Sequence, residues 1–149
     1  MSVDFRFEPA SLGDFDRLAD LRLTVMRDSL DAVGRFDPER NRLYFEARFR
    51  PQFTRLIVIE KSLAGCVALG PCDDRLVLEH FYLTPEWQGA GLGSAVLQRL
   101  LKEADAAQKI VRLTVLRGSD ARRFYDRYGF AQVGEDDVDI FLERAVAAS

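Results

Sequence analysis

The sequence predicts a mixed α/β domain built around a central sheet. Stretches in which apolar residues alternate, as in strands, are interspersed with stretches in which they recur every three to four residues, as in amphipathic helices. The chain has 149 residues, of which 48% are hydrophobic and 11% aromatic, so it can bury one core. No repeat, low-complexity segment or linker divides it, and we expect a single domain over residues 1–149.

The first half of the chain is expected to contain a strand, two helices and a hairpin. Ser11 followed by Asp14 is typical of a helix start, and Pro51 is expected to stop the second helix. The predicted elements are a strand over 3–7, a helix that begins near Ser11 and is broken by the segment 32–38, a helix over 38–49, and strands over 54–60 and 65–69 joined by a turn around 61–64.

The second half alternates strands with helices. Thr84-Pro85 is expected to end an apolar strand, Ser119 to cap a short helix and Gly129 to end that helix. The predicted elements are a strand over 75–83, an amphipathic helix after the segment QGAGLG at 88–93, a strand over 111–115, a short helix with Phe124 and Tyr125, and one or two strands at 133 and 138–142.

Charge and cysteine content exclude several classes of function. The 21 basic and 24 acidic residues leave a net charge of -3, whereas proteins that bind a nucleic-acid backbone are normally basic. Cys66 and Cys72 lack companions at zinc-ligand spacing, so we expect two reduced thiols and no metal site. The chain begins without a secretory pattern and has no window of about 18 apolar residues, so we expect a cytoplasmic protein that binds neither nucleic acid nor membrane.

The most informative segment is FYLTPEWQGAGLGS at 81–94. An apolar strand runs into a turn with glycines at 89, 91 and 93, and a helix begins at once. Glycines let a ligand approach the backbone closely, and the free N–H groups and dipole at a helix start attract an anion. The segment therefore predicts a site for a phosphate group such as pyrophosphate.

Three nucleotide-binding motifs compete for this turn. The Rossmann fingerprint is matched only loosely, with Ser94 as its third small residue, and it belongs near a first strand. A P-loop needs a Gly-Lys-Ser/Thr ending, which is absent. The pattern Q/R-x-x-G-x-G/A is met by Gln88, Gly91 and Gly93. A turn whose glycines only permit tight packing stays open as a structural alternative.

Two motifs in register resemble the GNAT superfamily of N-acetyltransferases. The segment FYLTPEWQGAGLGSAVL at 81–97 is similar to the acetyl-coenzyme A loop that follows the fourth strand of these enzymes. The segment LTVLRGSDARRFYDRYGF at 113–130 is similar to their strand, turn and helix ending in Phe/Leu-Tyr-x-x-x-Gly-Phe. The resemblance extends over the order of elements from Val3 to Leu142. It implies a mixed, mostly antiparallel sheet flanked by helices and splayed between its fourth and fifth strands.

The resemblance also implies which residues bind acetyl-coenzyme A. Backbone groups of Phe81 and Leu83, on either side of Tyr82, would line the pantetheine arm and the acetyl carbonyl, because splayed strands leave N–H and C=O groups unpaired. Backbone amides of the turn would hold the pyrophosphate. This turn comprises Gln88, Gly89, Ala90, Gly91, Leu92, Gly93 and Ser94.

Catalysis by this family suggests an acid and a base. Tyr125 aligns with the tyrosine that gives a proton to the departing thiolate, and its phenol is protonated at neutral pH; ring packing is the alternative. Glu79 and His80 both interrupt an apolar strand. Glu79 shares a face with Phe81 in a regular strand and could take the amine's proton through a water. His80 has a suitable ordinary pKa but would face the other way. Arrival of the amine already deprotonated is the third alternative.

One position departs from the family pattern. Many members place an asparagine, which binds the pantetheine arm, where this chain has Gly118; Ser119 or a water could replace that hydrogen bond. Arg122 and Arg123 could meet the cofactor's phosphates or form an exposed charged helix face. Acceptor recognition in such folds comes from the two early helices and their connection, which here contain Arg27, Asp28, Arg35, Phe36 and Asp37.

The sequence therefore predicts an N-acetyltransferase that moves the acetyl group of acetyl-coenzyme A to a primary amine of a small molecule or peptide. A non-catalytic module that senses acyl-coenzyme A is the alternative, favoured by the missing asparagine. A nicotinamide-dependent oxidoreductase would rest on the glycines alone. Homodimers are common in the superfamily, and no apolar stripe in this sequence identifies an interface.

Overall fold

The computed structural model describes residues 3–32, 34 and 36–147, with the backbone alone at Ser29. The elements are β1 (Arg6–Pro9), α1 (Phe15–Ala32), α2 (Pro38–Arg48), β2 (Thr54–Ile59), β3 (Ser62–Cys72), β4 (Arg75–Leu83), α3 (Leu92–Ala106), β5 (Val111–Leu116), α4 (Ala121–Asp126), β6 (Ala131–Glu135) and β7 (Asp139–Arg144). Short 3-10 turns lie at Leu12–Asp14, Pro51–Phe53 and Pro85–Trp87. None of the described helices has both the length and the apolar character needed to cross a bilayer.

Two compact units make up the chain. The first contains Met1–Ala68 and His80–Val96, and the second contains Leu69–Glu79 and Leu97–Ser149. Strands β3 and β4 and helix α3 each contribute residues to both units. Each unit is therefore discontinuous in sequence.

Within the described residues, seven strands form one sheet in the order β1-β2-β3-β4-β5-β7-β6. The pairs β1–β2 and β2–β3 in the first unit, and β5–β7 and β6–β7 in the second, are antiparallel. The β4–β5 ladder is parallel and joins Leu76 to Val111 and Val77 to Arg112 within the second unit. The expected mixed, mostly antiparallel sheet flanked by helices is confirmed. Its splay between β4 and β5 stays a prediction.

The core of the first unit lies between the two early helices and the first strands. Leu18 of α1 and Phe45 of α2 are fully buried in one cluster with Leu56 of β2. Phe15 stacks on Phe45 with their ring centroids 5.4 Å apart. Tyr82 of β4 packs against the same cluster. Burial of these aromatic rings therefore fixes the side chain of a β4 residue as well as the helices.

Helix starts in the first unit follow the sequence signals. The backbone N–H of Ser11 donates to the Asp14 carboxylate at 2.8 Å, directly before α1. Asp37 caps α2, since its carboxylate accepts from the backbone N–H of Arg40 at 3.2 Å, and Pro38 supplies the first helical residue. In the connection between α1 and α2, Val33 and Arg35 lie outside the described residues.

The second unit buries apolar side chains of α3, β5 and β7, and an ion pair joins two of these elements. The buried residues are Leu97, Leu100, Leu101, Ala104, Val111, Leu113, Val115 and Leu142. The Arg144 guanidinium of β7 donates to both carboxylate oxygens of Asp105 in α3, at 2.9 and 3.0 Å. This fork lowers the pKa of Asp105 below its ordinary value.

The first hairpin turn and the end of β3 differ from the sequence prediction. The turn expected at 61–64 lies at residues 60–61, and β3 continues through Pro71 to Cys72. Glu60 and Asp73 adopt left-handed backbone conformations, with φ of 57° and 56°. Left-handed turn residues are usually glycine or asparagine, so the residue types at these two positions do not indicate the turns.

Two further boundaries were misjudged. The first strand begins at Arg6 rather than at residue 3. The N-cap of α4 is Asp120, whose side chain makes no capping hydrogen bond. Ser119, expected to be the cap, instead accepts from the backbone N–H of Ala121 at 3.0 Å. The predicted serine therefore stabilises the helix start from one position earlier.

Gly65 allows a close approach of two strands in the first unit. A Cβ built at this glycine would lie 2.3 Å from the carbonyl oxygen of Tyr82 and 2.9 Å from Cδ2 of Leu83. The neighbouring Ala64 carbonyl accepts from the backbone N–H of Thr84 at 2.8 Å. The absence of a side chain at Gly65 therefore sets where β4 ends.

We expect Gly65→Ala to lower the free energy of unfolding by about 2–3 kcal/mol, because the methyl group would collide with backbone that cannot move alone. Urea denaturation measures the change. Gly13→Ala is the matched control, since a Cβ at Gly13 meets only Ser11 Oγ, at 3.6 Å. That control should stay within about 0.5 kcal/mol of the parent protein. Equal stability of the two variants would contradict the close approach.

Candidate active site

The glycine turn lies in the first unit, between β4 and α3. After the 3-10 turn Pro85–Trp87, Gly89 and Gly91 adopt φ of 76° and 86°, which favours glycine. A Cβ built at either glycine would meet no heavy atom within 4 Å. Tight packing therefore does not explain these two glycines. They allow the backbone conformation and leave room beside it.

The start of α3 suits an anion. The N–H of Ala95 makes the first intrahelical bond, to the Gly91 carbonyl at 3.2 Å, so the N–H groups of residues 92–94 come before the bonded part of the helix. No acidic residue lies in the first turn of α3 to offset the positive end of the helix dipole. Open backbone and uncompensated positive charge together fit the diphosphate of coenzyme A.

Gln88 has a different part in the turn from the one expected. Its backbone N–H donates to the Pro85 carbonyl at 3.3 Å, and its side-chain Nε2 donates to the Leu83 carbonyl at 3.1 Å. Both of these groups are therefore used to fold the turn back onto the end of β4. The amides available for a ligand begin at Gly89.

The Tyr82 side chain is directed into the core of the first unit, while its neighbours in β4 are half-buried. The Tyr82 side chain packs in the core, and its hydroxyl accepts from Arg22 Nε at 2.9 Å. Burial raises the pKa of Tyr82 above its ordinary value. Phe81 and Leu83 are half-buried. Any contact of Tyr82 with a ligand beside β4 therefore uses its peptide groups and not its phenol.

His80 is a buried, hydrogen-bonded core residue. It is 6% exposed, its ring meets Phe45 edge-on at 4.8 Å, and its Nδ1 lies 3.3 Å from the Tyr82 hydroxyl. Its Nε2 lies 3.4 Å from the Arg48 carbonyl. Burial lowers its pKa to about 4, so the imidazole is neutral at physiological pH and a weak proton acceptor.

The backbone at His80 distorts β4 without ending it. Its φ is 52°, a left-handed value that is uncommon for a residue with a side chain and is concentrated at functional sites. The carbonyl of His80 accepts from Cys66 Sγ at 3.3 Å. Cys66 is buried, and burial raises its pKa to about 12. The regular alternation that placed Glu79 on the face of Phe81 cannot be carried across this residue.

Tyr125 lies in α4, in the second unit. Its ring packs edge-on against Phe124 and Phe130, with centroids 5.1 and 5.4 Å apart. Burial raises the pKa of its phenol, which therefore stays protonated. Glu79 belongs to the same unit and is half-buried in β4. The structure describes these two residues in one unit and the glycine turn in the other.

The remaining cofactor candidates of the second unit are already engaged. Ser119 Oγ accepts from the Ala121 N–H, which leaves its hydroxyl hydrogen to donate. Arg122 donates to the Asp126 carboxylate at 3.2 Å and to the side-chain oxygen of Gln132 at 2.7 Å. Gly118 has a φ of 83°, a left-handed conformation that favours glycine and, among other residues, asparagine and aspartate. Glycine therefore keeps the backbone there without the amide side chain.

The predicted acceptor region lies at the ends of α1 and α2. Arg27 packs over the Phe36 ring at 5.0 Å, and Asp37 serves as the N-cap of α2. Asp28 is exposed, and Arg35 lies outside the described residues. None of these contacts identifies an acceptor.

Arg22, a buried arginine that is 6% exposed, was not among the predicted site residues. Its guanidinium contacts Tyr82, Asn41 and the Tyr44 ring. A signal was present, because Arg22 follows Leu18 by four residues and so falls on the apolar face of α1.

The sequence of the chain identifies its family. Residues 31–140 match the family model of the acetyltransferase (GNAT) domain, which covers most of the chain. The chain belongs to the GNAT acetyltransferases. Membership makes it an acetyltransferase with acetyl-coenzyme A as the acetyl donor. No curated protein matches the sequence.

Solved structures share the fold of this GNAT acetyltransferase. The PaiA N-acetyltransferase of Thermoplasma acidophilum, solved with coenzyme A, has a TM-score of 0.78 at 16% identity and covers 96% of this chain and 99% of its own. A GNAT acetyltransferase of Staphylococcus aureus has a TM-score of 0.75 at 14% identity, over 97% and 100%. N-acetylglutamate synthase of Neisseria gonorrhoeae, solved with coenzyme A and N-acetyl-glutamate, has 0.72 at 17%, over 99% of this chain and 36% of its own. At these identities the likeness concerns the fold.

The described part of the acetyltransferase contains no cluster of side chains suited to bind a metal ion. Within residues 3–32, 34 and 36–147, no three or more His, Cys, Asp or Glu side chains come together in a way that could hold a metal ion.

We expect burial of neutral His80 to make the stability of the acetyltransferase depend on pH. The pKa is about 4 in the folded protein and 6.5 ordinarily, so the unfolded chain takes up the proton first as the pH falls. The stabilisation is complete above pH 6.5 and is lost towards pH 4, which amounts to about 2 kcal/mol between pH 8 and pH 5. Urea unfolding at both pH values measures the loss.

His80→Asn is the comparison, because asparagine tolerates the left-handed backbone and does not titrate. This variant should be less stable at pH 8 but should lose about 2 kcal/mol less on acidification. An identical pH dependence in the two proteins would show that His80 is not buried in its neutral form.

Proposed function

We propose that this acetyltransferase transfers the acetyl group of acetyl-coenzyme A to a primary amine of a small molecule or peptide, by direct attack while both are bound. The observation that carries the proposal is the glycine turn. Gly89 and Gly91 have left-handed backbone and open space beside them, immediately before a helix whose first turn has no acid. This combination favours a diphosphate over a purely structural role.

The cofactor would be held by backbone rather than by side chains. Amides from Gly89 to Ser94 would bind the diphosphate, while Gln88 keeps the turn closed. Peptide groups of Phe81 and Leu83 would line the pantetheine arm. Bound there, acetyl-coenzyme A supplies an activated thioester whose acetyl group passes to the amine nitrogen as the carbon–sulfur bond breaks.

The amine must be neutral to attack, since an ammonium has no lone pair. Glu79 is the better candidate to accept its proton, through a water, because a carboxylate in an apolar strand suits a cleft. His80 is poorly suited, because its ring is buried and its pKa is about 4. The proton lost by nitrogen would reach solvent through Glu79.

Tyr125 would donate its phenolic proton to the departing sulfur. Burial raises its pKa, so the proton is present at every physiological pH. A thiol has a pKa of about 8.5, below that of a phenol, so full transfer to sulfur must be coupled to loss of a proton from nitrogen. The hydroxyl therefore stabilises the developing thiolate chiefly in the transition state.

We expect Tyr125→Phe to lower kcat by about 100-fold, because the departing sulfur loses its proton donor. Release of coenzyme A thiol over a panel of amines measures turnover. Tyr128→Phe is the matched control, because the Tyr128 ring also packs against Phe124, with centroids 5.5 Å apart. This substitution removes the same hydroxyl oxygen from a tyrosine three residues away. The control should retain the parent rate.

The outcomes separate the proposal from its alternative. Equal rates for the two tyrosine variants would remove Tyr125 from catalysis. Tight binding of acetyl-coenzyme A without turnover of any amine would overturn the transferase assignment for this site and favour an acyl-coenzyme A sensor. In the active protein, Glu79→Gln should depress the rate most at low pH, where the amine is protonated.

We expect Gly91→Ala to weaken coenzyme A binding by tenfold or more, because a side chain strains the left-handed backbone by about 1–3 kcal/mol at the diphosphate site. Calorimetry measures the affinity. Gly34→Ala is the control, since Gly34 has a similar φ of 71° and equally open surroundings. If Gly91→Ala bound coenzyme A as tightly as the parent protein, the glycine turn would not be the cofactor site.

A further inference from the structure

Arg22 is buried without an acidic partner. Its Nε donates to the Tyr82 hydroxyl at 2.9 Å, and its Nη1 donates to the side-chain oxygen of Asn41 and to the Asn41 carbonyl. These acceptors are neutral, and Arg22 forms no ion pair with any residue in the described ranges. A buried guanidinium is costly unless an anion compensates it.

One nitrogen of this guanidinium remains available. Nη2 of Arg22 has no hydrogen-bond acceptor among residues 3–32, 34 and 36–147. It is also not one of the fully buried polar side-chain atoms that lack a partner, so it reaches solvent. A solvent molecule or a ligand can therefore approach this nitrogen although the side chain is 6% exposed.

A second guanidinium lies on the same aromatic ring. The Cζ atoms of Arg22 and Arg48 lie 4.6 and 3.7 Å from the ring centroid of Tyr44, which is 44% exposed. Arg48 donates to the Tyr44 carbonyl at 3.3 Å and forms no ion pair within the described part of the chain. We name Arg22, Tyr44 and Arg48 the arginine cluster. Its two guanidinium groups share one half-exposed ring, and neither is paired with an acid among the described residues.

Three acidic residues of α1 and α2 act on Arg42. Asp16 pairs with it, and Asp20 and Glu46 add to the negative field there. By contrast, the positive charges of Arg22, Arg48 and Arg50 contribute to the low pKa of His80, after the larger effect of burial. The side of the cluster nearest β4 is therefore positive.

We propose that the arginine cluster binds a carboxylate of the acceptor, so that the substrate is an amine that also carries a carboxylate, such as an amino acid or a short peptide. Arg22 contacts the Tyr82 side chain, and the proposed acetyl site uses the backbone on either side of Tyr82. A bound carboxylate would thus lie one tyrosine side chain away from that backbone. The inference rests on the proposed function.

A carboxylate fits the free donors of the arginine cluster. Arg22 offers Nη2, and Arg48 has Nε and Nη2 free of the hydrogen bond that its Nη1 makes. A planar guanidinium matches the oxygens of a carboxylate in a bidentate fork, and it can bind a phosphate in the same way. The two anions are separated in the test.

Matched acceptors test the inference by turnover. L-Phenylalanine, L-phenylalaninamide and phenethylamine share a side chain and differ in the carboxylate; β-alanine, 2-aminoethyl phosphate and propylamine separate carboxylate from phosphate. We expect carboxylate-bearing acceptors to have kcat/KM values higher by about tenfold or more, through KM. Efficient turnover of the amide and the plain amine, or preference for the phosphate, would overturn the inference while leaving the acetyltransferase function intact.

Two substitutions locate the effect. Arg48→Gln should raise KM for carboxylate-bearing acceptors about tenfold and leave kcat and coenzyme A affinity unchanged. Arg40→Gln is the control, since it removes the same charge from an exposed position of the same helix. Arg22→Lys keeps the buried charge but removes the fork, and its fold is checked by its coenzyme A affinity. Equal effects of Arg48→Gln and Arg40→Gln would overturn the assignment.

A binding measurement decides the inference without turnover. Arginine Nε–H resonances of the protein loaded with coenzyme A are followed while acetate is added, with chloride at equal ionic strength as reference. We expect saturable shifts at Arg22 and Arg48 and none at Arg40. Absence of a saturable shift would overturn carboxylate binding even if amines are acetylated, and its presence would support it even if no tested amine is turned over.

Discussion

The close passage of β3 along the end of β4 is the constraint on which the first unit depends. Because Gly65 has no side chain, the Tyr82 carbonyl can lie where a Cβ would otherwise be, and Thr84 can bond Ala64. The end of β4 then has one position, from which the glycine turn and α3 start. The same passage directs the Tyr82 phenol into the core, where it meets Arg22. The end of β4 therefore connects the core packing of the first unit with the glycine turn and with the buried charge of Arg22.

Much of this arrangement could be predicted from sequence because it follows from local chemistry. The bounds of β4 match the expectation, and α2 begins at Pro38 as its capping residue dictates. The glycine turn lies between β4 and α3, where the sequence predicted it. Such features depend on one residue and its neighbours, so the sequence states them directly.

The rest depended on contacts between distant residues or on uncommon backbone. Glu60 and Asp73 take left-handed conformations that their residue types do not announce. The left-handed backbone of His80 breaks the alternation of side chains along β4, so counting residues does not show whether Glu79 and Phe81 share a face. The role of Gln88 in closing the turn requires knowing where the Leu83 carbonyl points. Tertiary structure overrode local preference at each of these positions.

The burial of Cys66 has a practical consequence for enzymology. Because the pKa of the Cys66 thiol is about 12, little thiolate is present at neutral pH, and disulfide reagents and oxidants should not react with it. Cys72 is an exposed free cysteine. A colorimetric reagent that counts sulfhydryl groups will therefore register Cys72 as a constant background beside the coenzyme that each cycle liberates. Blocking that surface cysteine beforehand would leave product as the only signal.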